Sequence, residues 1–245
     1  MAYKLSIIVS LISFLFIQSA LSIDPLFHIC FNSQNFTTNT VYDKNLRKLL
    51  TSLSYKTPPT GFGLGSIGQY PHDRPYGLSL CRGDVSRKDC KTCVVEASSE
   101  ILKLCPNNKG AIVWYDSCFL KYNDIDFFGK IDYQNRFAML NVNNVSMIEP
   151  QKFNQRVKKL LTNLSKKACQ KSKMFAKGES EMEEYSKKIY GMVQCSRDVS
   201  GVDCKKCLDD AISELPSCCD GKQGGRVVGG SCNIRYEIYP FLNLH

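Results

Sequence analysis

Cys81-Arg82-Gly83-Asp84-Val85-Ser86-Arg87-Lys88-Asp89-Cys90-Lys91-Thr92-Cys93 returns 114 positions later as Cys195-Ser196-Arg197-Asp198-Val199-Ser200-Gly201-Val202-Asp203-Cys204-Lys205-Lys206-Cys207. The same shift carries Cys105 and Cys118 onto Cys219 and Cys232, Tyr76-Gly77 onto Tyr190-Gly191, Gly110 onto Gly224 and Tyr122 onto Tyr236, without an insertion or deletion. Such self-similarity marks two copies of one domain in tandem. In each copy a Ser-x-x-Asp pattern, Ser86 with Asp89 and Ser200 with Asp203, supplies a capping box that places helix starts near 87 and 201. Pro106 and Pro216 are expected to end those helices, because proline has no amide proton to continue them. The second and third cysteines of each motif are three apart and share a helix face, which must look inward if the thiols are to find partners.

An earlier helix in each copy shows the same logic. Tyr42, Leu46, Leu49, Leu50 and Leu53 form one apolar stripe, and Phe153, Val157, Leu160, Leu161 and Leu164 form the other. Lys158, Lys159, Lys166 and Lys167 alternate with the second stripe and read as a solvated face. Short β-branched and aromatic runs at 27–31, 76–81, 111–115 and 118–122, with counterparts at 189–195, 226–228 and 232–239, read as strands. Asp116-Ser117 and Gly229-Gly230-Ser231 are hairpin turns. The expected fold class is α+β: two tandem disulfide-rich domains, each with two helices packed on a small antiparallel β-sheet. The boundaries expected are 23–131 and 143–245, with residues 132–142 as a linker.

Residues 1–22 read as a secretory signal peptide: Lys4, an apolar stretch over Leu5–Ile17, and a small-residue cleavage pattern at Ala20-Leu21-Ser22. The apolar run is short for a bilayer, which needs about 20 residues, and no second span follows. All thirteen cysteines lie beyond that segment, and in an oxidising compartment they imply a disulfide framework. Zinc ligation by Cys90/Cys93 or Cys204/Cys207 suits a two-residue gap, but secretion and the additional cysteines argue against it, and no metal is expected. The Asn35, Asn144 and Asn163 sequons would then be open to N-glycosylation. A formal net charge of +9 points, outside the cell, to cell-wall pectin, anionic membrane surfaces or acidic proteins rather than to nucleic acid.

Enzyme readings find little support. His28, His72 and His245 are the only histidines, and none sits in a hydrolase or metalloprotease signature. Gly61-Phe62-Gly63-Leu64-Gly65 reads as a loop, without the strand-turn-helix context of a nucleotide fingerprint. Asp209-Asp210 and Glu183-Glu184 are adjacent pairs, better read as exposed surface than as a glycosidase dyad. The expectation is a non-enzyme without cofactors.

The repeated Cys-x8-Cys-x2-Cys, Gly224-Gly225-Arg226-Val227, Arg235-Tyr236-Glu237 and the N-terminal signal resemble the plant cysteine-rich repeat secretory proteins, built from two ginkbilobin-homologous, or stress-antifungal, domains. The same tandem forms the ectodomains of cysteine-rich receptor-like kinases and plasmodesmata-located proteins. The resemblance implies the bridges Cys30–Cys105, Cys81–Cys90, Cys93–Cys118, Cys195–Cys204 and Cys207–Cys232. The second copy departs from the pattern, since aligning Leu49-Leu50 with Leu160-Leu161 puts Asn141 where the first has Cys30. Cys169, Cys218 and Cys219 then share one further bridge, expected from Cys169 to Cys219 or to its neighbour Cys218. The odd thiol is either a buried free cysteine or the seat of an intermolecular bridge, giving a monomer or a dimer.

The resemblance also implies a mannose site made by an Asn after the first cysteine, an Arg on the strand after the fourth and a Glu after the last. In the first copy Asn32, Ile112 and Asn123 occupy those places, so that site is lost. In the second copy Asn143, Arg226 and Glu237 are the candidates, with Asn143 aligned to Asn32. Arg and Asn can donate to sugar hydroxyls and Glu can accept from them. The other reading of Arg226 and Glu237 is an ion pair that positions the sheet. Two functions stay open: a secreted carbohydrate-binding antifungal or defence protein of the apoplast, or an extracellular protein-interaction module in stress or defence signalling.

Overall fold

A computed structural model describes residues 24–31, 34–69, 73–145, 149–182 and 187–243. The signal peptide expected over 1–22 lies outside them, as do Asn32, His72, Glu183, Glu184 and His245. Serine caps start two of the helices. Ser86 Oγ accepts from the Asp89 amide at 3.1 Å and opens α2 (Arg87–Leu104), and Ser200 Oγ accepts from the Asp203 amide at 3.0 Å and opens α4 (Gly201–Cys219). Thr40 caps α1 (Val41–Lys56), and Pro150 stands at the first turn of α3 (Pro150–Ala168), where its missing amide costs nothing. Pro106 lies beyond the end of α2, but Pro216 sits inside α4. Only the last turn follows it, so the helix forgoes one interior hydrogen bond and runs on.

In the first copy β1 (Phe27–Cys30), β2 (Phe62–Ser66), β3 (Tyr76–Cys81), β4 (Ala111–Trp114) and β5 (Cys118–Asn123) form an antiparallel sheet in the order β1-β4-β5-β3-β2. In the second, β6 (Arg136–Leu140), β7 (Phe175–Met182), β8 (Lys187–Cys195), β9 (Gly224–Gly229) and β10 (Cys232–Glu237) repeat it as β6-β9-β10-β8-β7. The stretch read as a loop, 61–65, becomes edge strand β2. It passes so close to the end of α1 that a Cβ on Gly63 would lie 2.3 Å from Thr57 Oγ1, which only glycine permits. The stretch read as a linker, 132–142, carries β6, paired to β9.

Each sheet buries one face under its own helices. Leu46, Leu50, Val94, Ala97 and Ile101 pack on Val113, Leu120 and Tyr122 in the first copy, and Phe153, Leu161, Leu208 and Ala211 pack on Val227, Ile234 and Tyr236 in the second. The opposite faces meet each other. Ile112 and Trp114 of β4 form a third apolar cluster with Val228 of β9, and Ile29, Phe31, Phe119 and Phe137 close around it. The layers run helices, sheet, sheet, helices, and the two copies share a core.

Bridges tie each motif helix to its sheet: Cys81–Cys90 and Cys93–Cys118 in the first copy, Cys195–Cys204 and Cys207–Cys232 in the second. Cys30–Cys105 fastens β1 to the end of α2. The expected Cys169–Cys219 bridge is absent: Cys169 is free, and Cys218 is bonded to its neighbour Cys219. The reason is distance. The Cys169 carbonyl lies against Gly201 at the start of α4, whereas Cys218 and Cys219 end that helix, some 25 Å away at about 1.5 Å per residue. A disulfide needs Cα atoms within about 7 Å.

Candidate functional site

The strands put two of the sequence candidates, Arg226 and Glu237, on the sheet face that meets the other copy. Arg226 on β9 stands opposite Arg235 on β10, and Glu237 lies two residues further on that same face. Arg226 is 6% and Glu237 7% exposed, and Arg235 is half-buried. Asp116, from the β4–β5 turn of the first copy, closes the group. Its Oδ1 accepts from Arg226 Nη1 at 2.9 Å and from Arg235 Nη1 at 3.1 Å, and its Oδ2 accepts from Arg82 Nη1 at 2.7 Å. Arg82 also grips Asp84 at 2.6 Å, and Arg235 Nε donates to Glu237 Oε1 at 3.1 Å. The ion pair expected as the alternative, Arg226 with Glu237, does not form: the first finds its partner across the copies and the second on its own strand. Arg226 pairs with Asp116, and Glu237 with Arg235.

The electrostatics follow from this crowding. Burial pulls the Arg226 guanidinium down to about 10, with Asp116 acting against that fall. Burial alone would raise the Asp116 carboxyl, but the positive charges of Arg226, Arg82 and Arg235 outweigh it and hold the group below the usual carboxylate range. Two polar atoms stay without a partner in this wall, Arg226 Nε and Glu237 Oε2, with Asn233 Oδ1 a third nearby. The space beside Arg226, Trp114 and Asn233 is about 20 Å³, room for a water and not for a sugar ring.

Asn143 departs from its expected role. Phe31 donates its amide to Gly110 and Asn141 donates to Gly224, whereas Gln34 accepts from Lys109 and Asn143 accepts from Gln223 through their carbonyls. Asn143 thus holds the place of Gln34, not of Asn32, because the second copy has one residue fewer between these anchors. The partner of Gly225 in the second sheet is Leu140, as Cys30 is of Ala111 in the first, so Leu140 and not Asn141 replaces Cys30. Asn143 is exposed at the rim beside Gly224, the register partner of Glu237. In the first copy Ile112 is buried in the shared core and Asn123 spends its Oδ1 on the Asp124 amide.

Asn35, Asn144 and Asn163 are all exposed, Asn163 on the outer face of α3, while Asn144 Oδ1 accepts from Lys222 Nζ at 2.8 Å. Sequence reasoning missed Asp116 and Arg82, which it had assigned to a turn and to a motif interior. The signal available was 111–115, apolar at every position, which implies a strand covered on both faces.

The family model described as salt stress response/antifungal matches residues 29–125 and again 141–239. The chain belongs to the salt stress response/antifungal family. An antimicrobial ginkbilobin-2-like protein of Castanea crenata is 56% identical over 220 residues, spanning 90% of either chain. Cysteine-rich repeat secretory protein 38 of Arabidopsis thaliana is 52% identical over 220 residues, spanning 89% of this chain and 85% of the relative. Among solved structures, the tandem DUF26 ectodomain of the Arabidopsis thaliana cysteine-rich receptor-like protein PDLP8 superposes with a TM-score of 0.78 at 25% identity, over 89% of this chain and 100% of that one. Within this stress-antifungal family the chain is of the tandem, disulfide-rich, secretory-protein kind, and no described helix is long and apolar enough to cross a membrane.

Proposed function

We propose that this chain is a non-enzymatic binding protein of the plant apoplast acting in defence, and that it engages its partners through outer surfaces of a single fused tandem. One observation carries this reading. Arg226, the residue a mannose site would need most, is 6% exposed and spends its guanidinium on Asp116 of the other copy. Binding a sugar there would require breaking an ion pair whose arginine is buried, at a cost of about 1–3 kcal/mol with Asp116 half-exposed, a sizeable part of what a monosaccharide returns. The name of the Castanea crenata relative, an antimicrobial protein, supports the defence role.

Mannose recognition is the second reading, favoured by the unpartnered Arg226 Nε and Glu237 Oε2 on one wall. Affinity of the oxidised protein for mannose and mannan separates the two, with Arg226→Ala and Glu237→Ala as variants whose folding is checked. Absence of binding, with fungal growth inhibited equally by parent and Arg226→Ala, supports the partner-binding module. Binding lost in both variants establishes the lectin. No effect on fungal growth removes the antifungal role.

A further inference from the structure

A second recess opens at the seam between the copies, about 330 Å³ in volume, and its chemistry differs from that of the Arg226 wall. Pro58, Pro59, Arg82 and Arg87 line it from the first copy, and Lys173 and Arg197 from the second. None of the described lining residues is acidic. Arg82 is already neutralised by Asp84 and Asp116. Arg87, Lys173 and Arg197 make no ion pair among the described residues, so three cations converge on one recess without a counter-charge. Such a concave positive surface concentrates anions.

Arg197 is the most telling of the three. Its Nε is buried with no hydrogen-bond partner, its guanidinium lies 5.9 Å from the Phe62 ring centroid, and burial draws its pKa below the ordinary arginine value. A planar fork held in this way fits a carboxylate or phosphate by two parallel hydrogen bonds. Ser86 and Arg87, at the start of α2, line the recess, so the positive end of that helix borders it. Pro58 and Pro59 offer an apolar wall, and the volume is at the small end of small-molecule sites, of sugar and not peptide size.

We propose that this recess binds a sugar-sized oxyanion, the carboxylate of a uronic acid or the phosphate of a sugar phosphate. Arg197 forms the fork, with Lys173 and Arg87 flanking it. The site needs both copies and does not depend on whether Arg226 binds mannose.

The test is calorimetric titration of the full, oxidised chain with trigalacturonate, with glucose 6-phosphate and with neutral galactose. Variants are Arg197→Gln, Lys173→Gln at the exposed rim in case the first fails to fold, and Lys158→Gln/Lys159→Gln on the outer face of α3 as a charge control. One anion should bind and galactose should not. Arg197→Gln should weaken that binding about tenfold or more, as loss of a charge-assisted pair does. Lys173→Gln should weaken it several-fold, and the control should leave it unchanged. Binding of trigalacturonate alone assigns the carboxylate source, and binding of glucose 6-phosphate alone assigns the phosphate. Failure of both anions to bind, equal binding of galactose, or equal loss in the α3 control would overturn the proposal.

Discussion

Asp116 Oδ1, in the β4–β5 turn of the first copy, accepts a hydrogen bond from Nη1 of Arg226, in the second, at 2.9 Å. This contact joins the two sheets and consumes the arginine on which a sugar site would depend. With Arg82 and Arg235 on the same carboxylate, it makes one acidic side chain the counter-charge of three cations.

Replacing that carboxylate should loosen the seam. Asp116→Asn leaves Arg226 buried and uncompensated, although the Asp116 side chain is itself 47% exposed and solvent screens part of the loss. A cost of about 1–3 kcal/mol is expected in denaturant unfolding, below the full figure for breaking a buried pair. The pH dependence has a definite sign. The carboxyl is held below its ordinary 3.8 in the folded chain, so its contribution is fully present above about pH 4 and is lost as pH falls through the depressed value. Parent stability should decline below that point, and Asp116→Asn should show a shallower decline.

Trp114 is 1% exposed, packs edge-on against Phe137 with ring centroids 5.2 Å apart, and donates Nε1 to the Gly229 carbonyl at 3.2 Å. Trp114→Ala should cost about 3–5 kcal/mol by emptying the shared core. Trp114→Phe keeps most of the apolar area and strands one carbonyl, so a cost of about 1–2 kcal/mol is expected. Equal effects of the two variants in urea titration would contradict a packed seam.

The bridges should rank by loop length. Cys30–Cys105 closes a separation of 75 residues and Cys81–Cys90 one of 9. Removing each pair by serine substitution should cost about 4.5 and about 2.5 kcal/mol respectively if restriction of the unfolded chain dominates. With Leu140 in place of Cys30, β6 has no such fastening, so hydrogen exchange should show its amides opening before those of β1.

Native protein should carry one titratable thiol per chain, and Cys169→Ser should remove it while changing stability by less than about 0.5 kcal/mol, since Cys169 is only partly buried. Two or more additional thiols in the parent would contradict the bond between Cys218 and Cys219.

Much of this architecture is legible in the chain itself. The repeat placed the motif helices, Ser86 and Ser200 marked their starts, and the pairings implied by the family resemblance are the five inter-element bonds present. Strand β6 was hidden because Arg136–Leu140 is a half-exposed edge without alternation, recognisable only from its partner β9. The register of Asn143 was hidden by a single missing residue, which an ungapped helix alignment spreads over the whole preceding loop. The fate of Arg226 and Glu237 was hidden for another reason. Their burial depends on the other copy, and no pattern within one strand tells a polar face turned to solvent from one turned to a carboxylate of a second domain.

The central claim is that the two copies are one folded unit, closed by Trp114 and by Asp116 with Arg226. Differential scanning calorimetry of the oxidised full chain tests it most directly. The account predicts a single transition whose calorimetric and van't Hoff enthalpies agree for the whole chain, lowered as one peak by Trp114→Ala. Two resolved transitions, with only the first-copy peak moving in that variant, would contradict it.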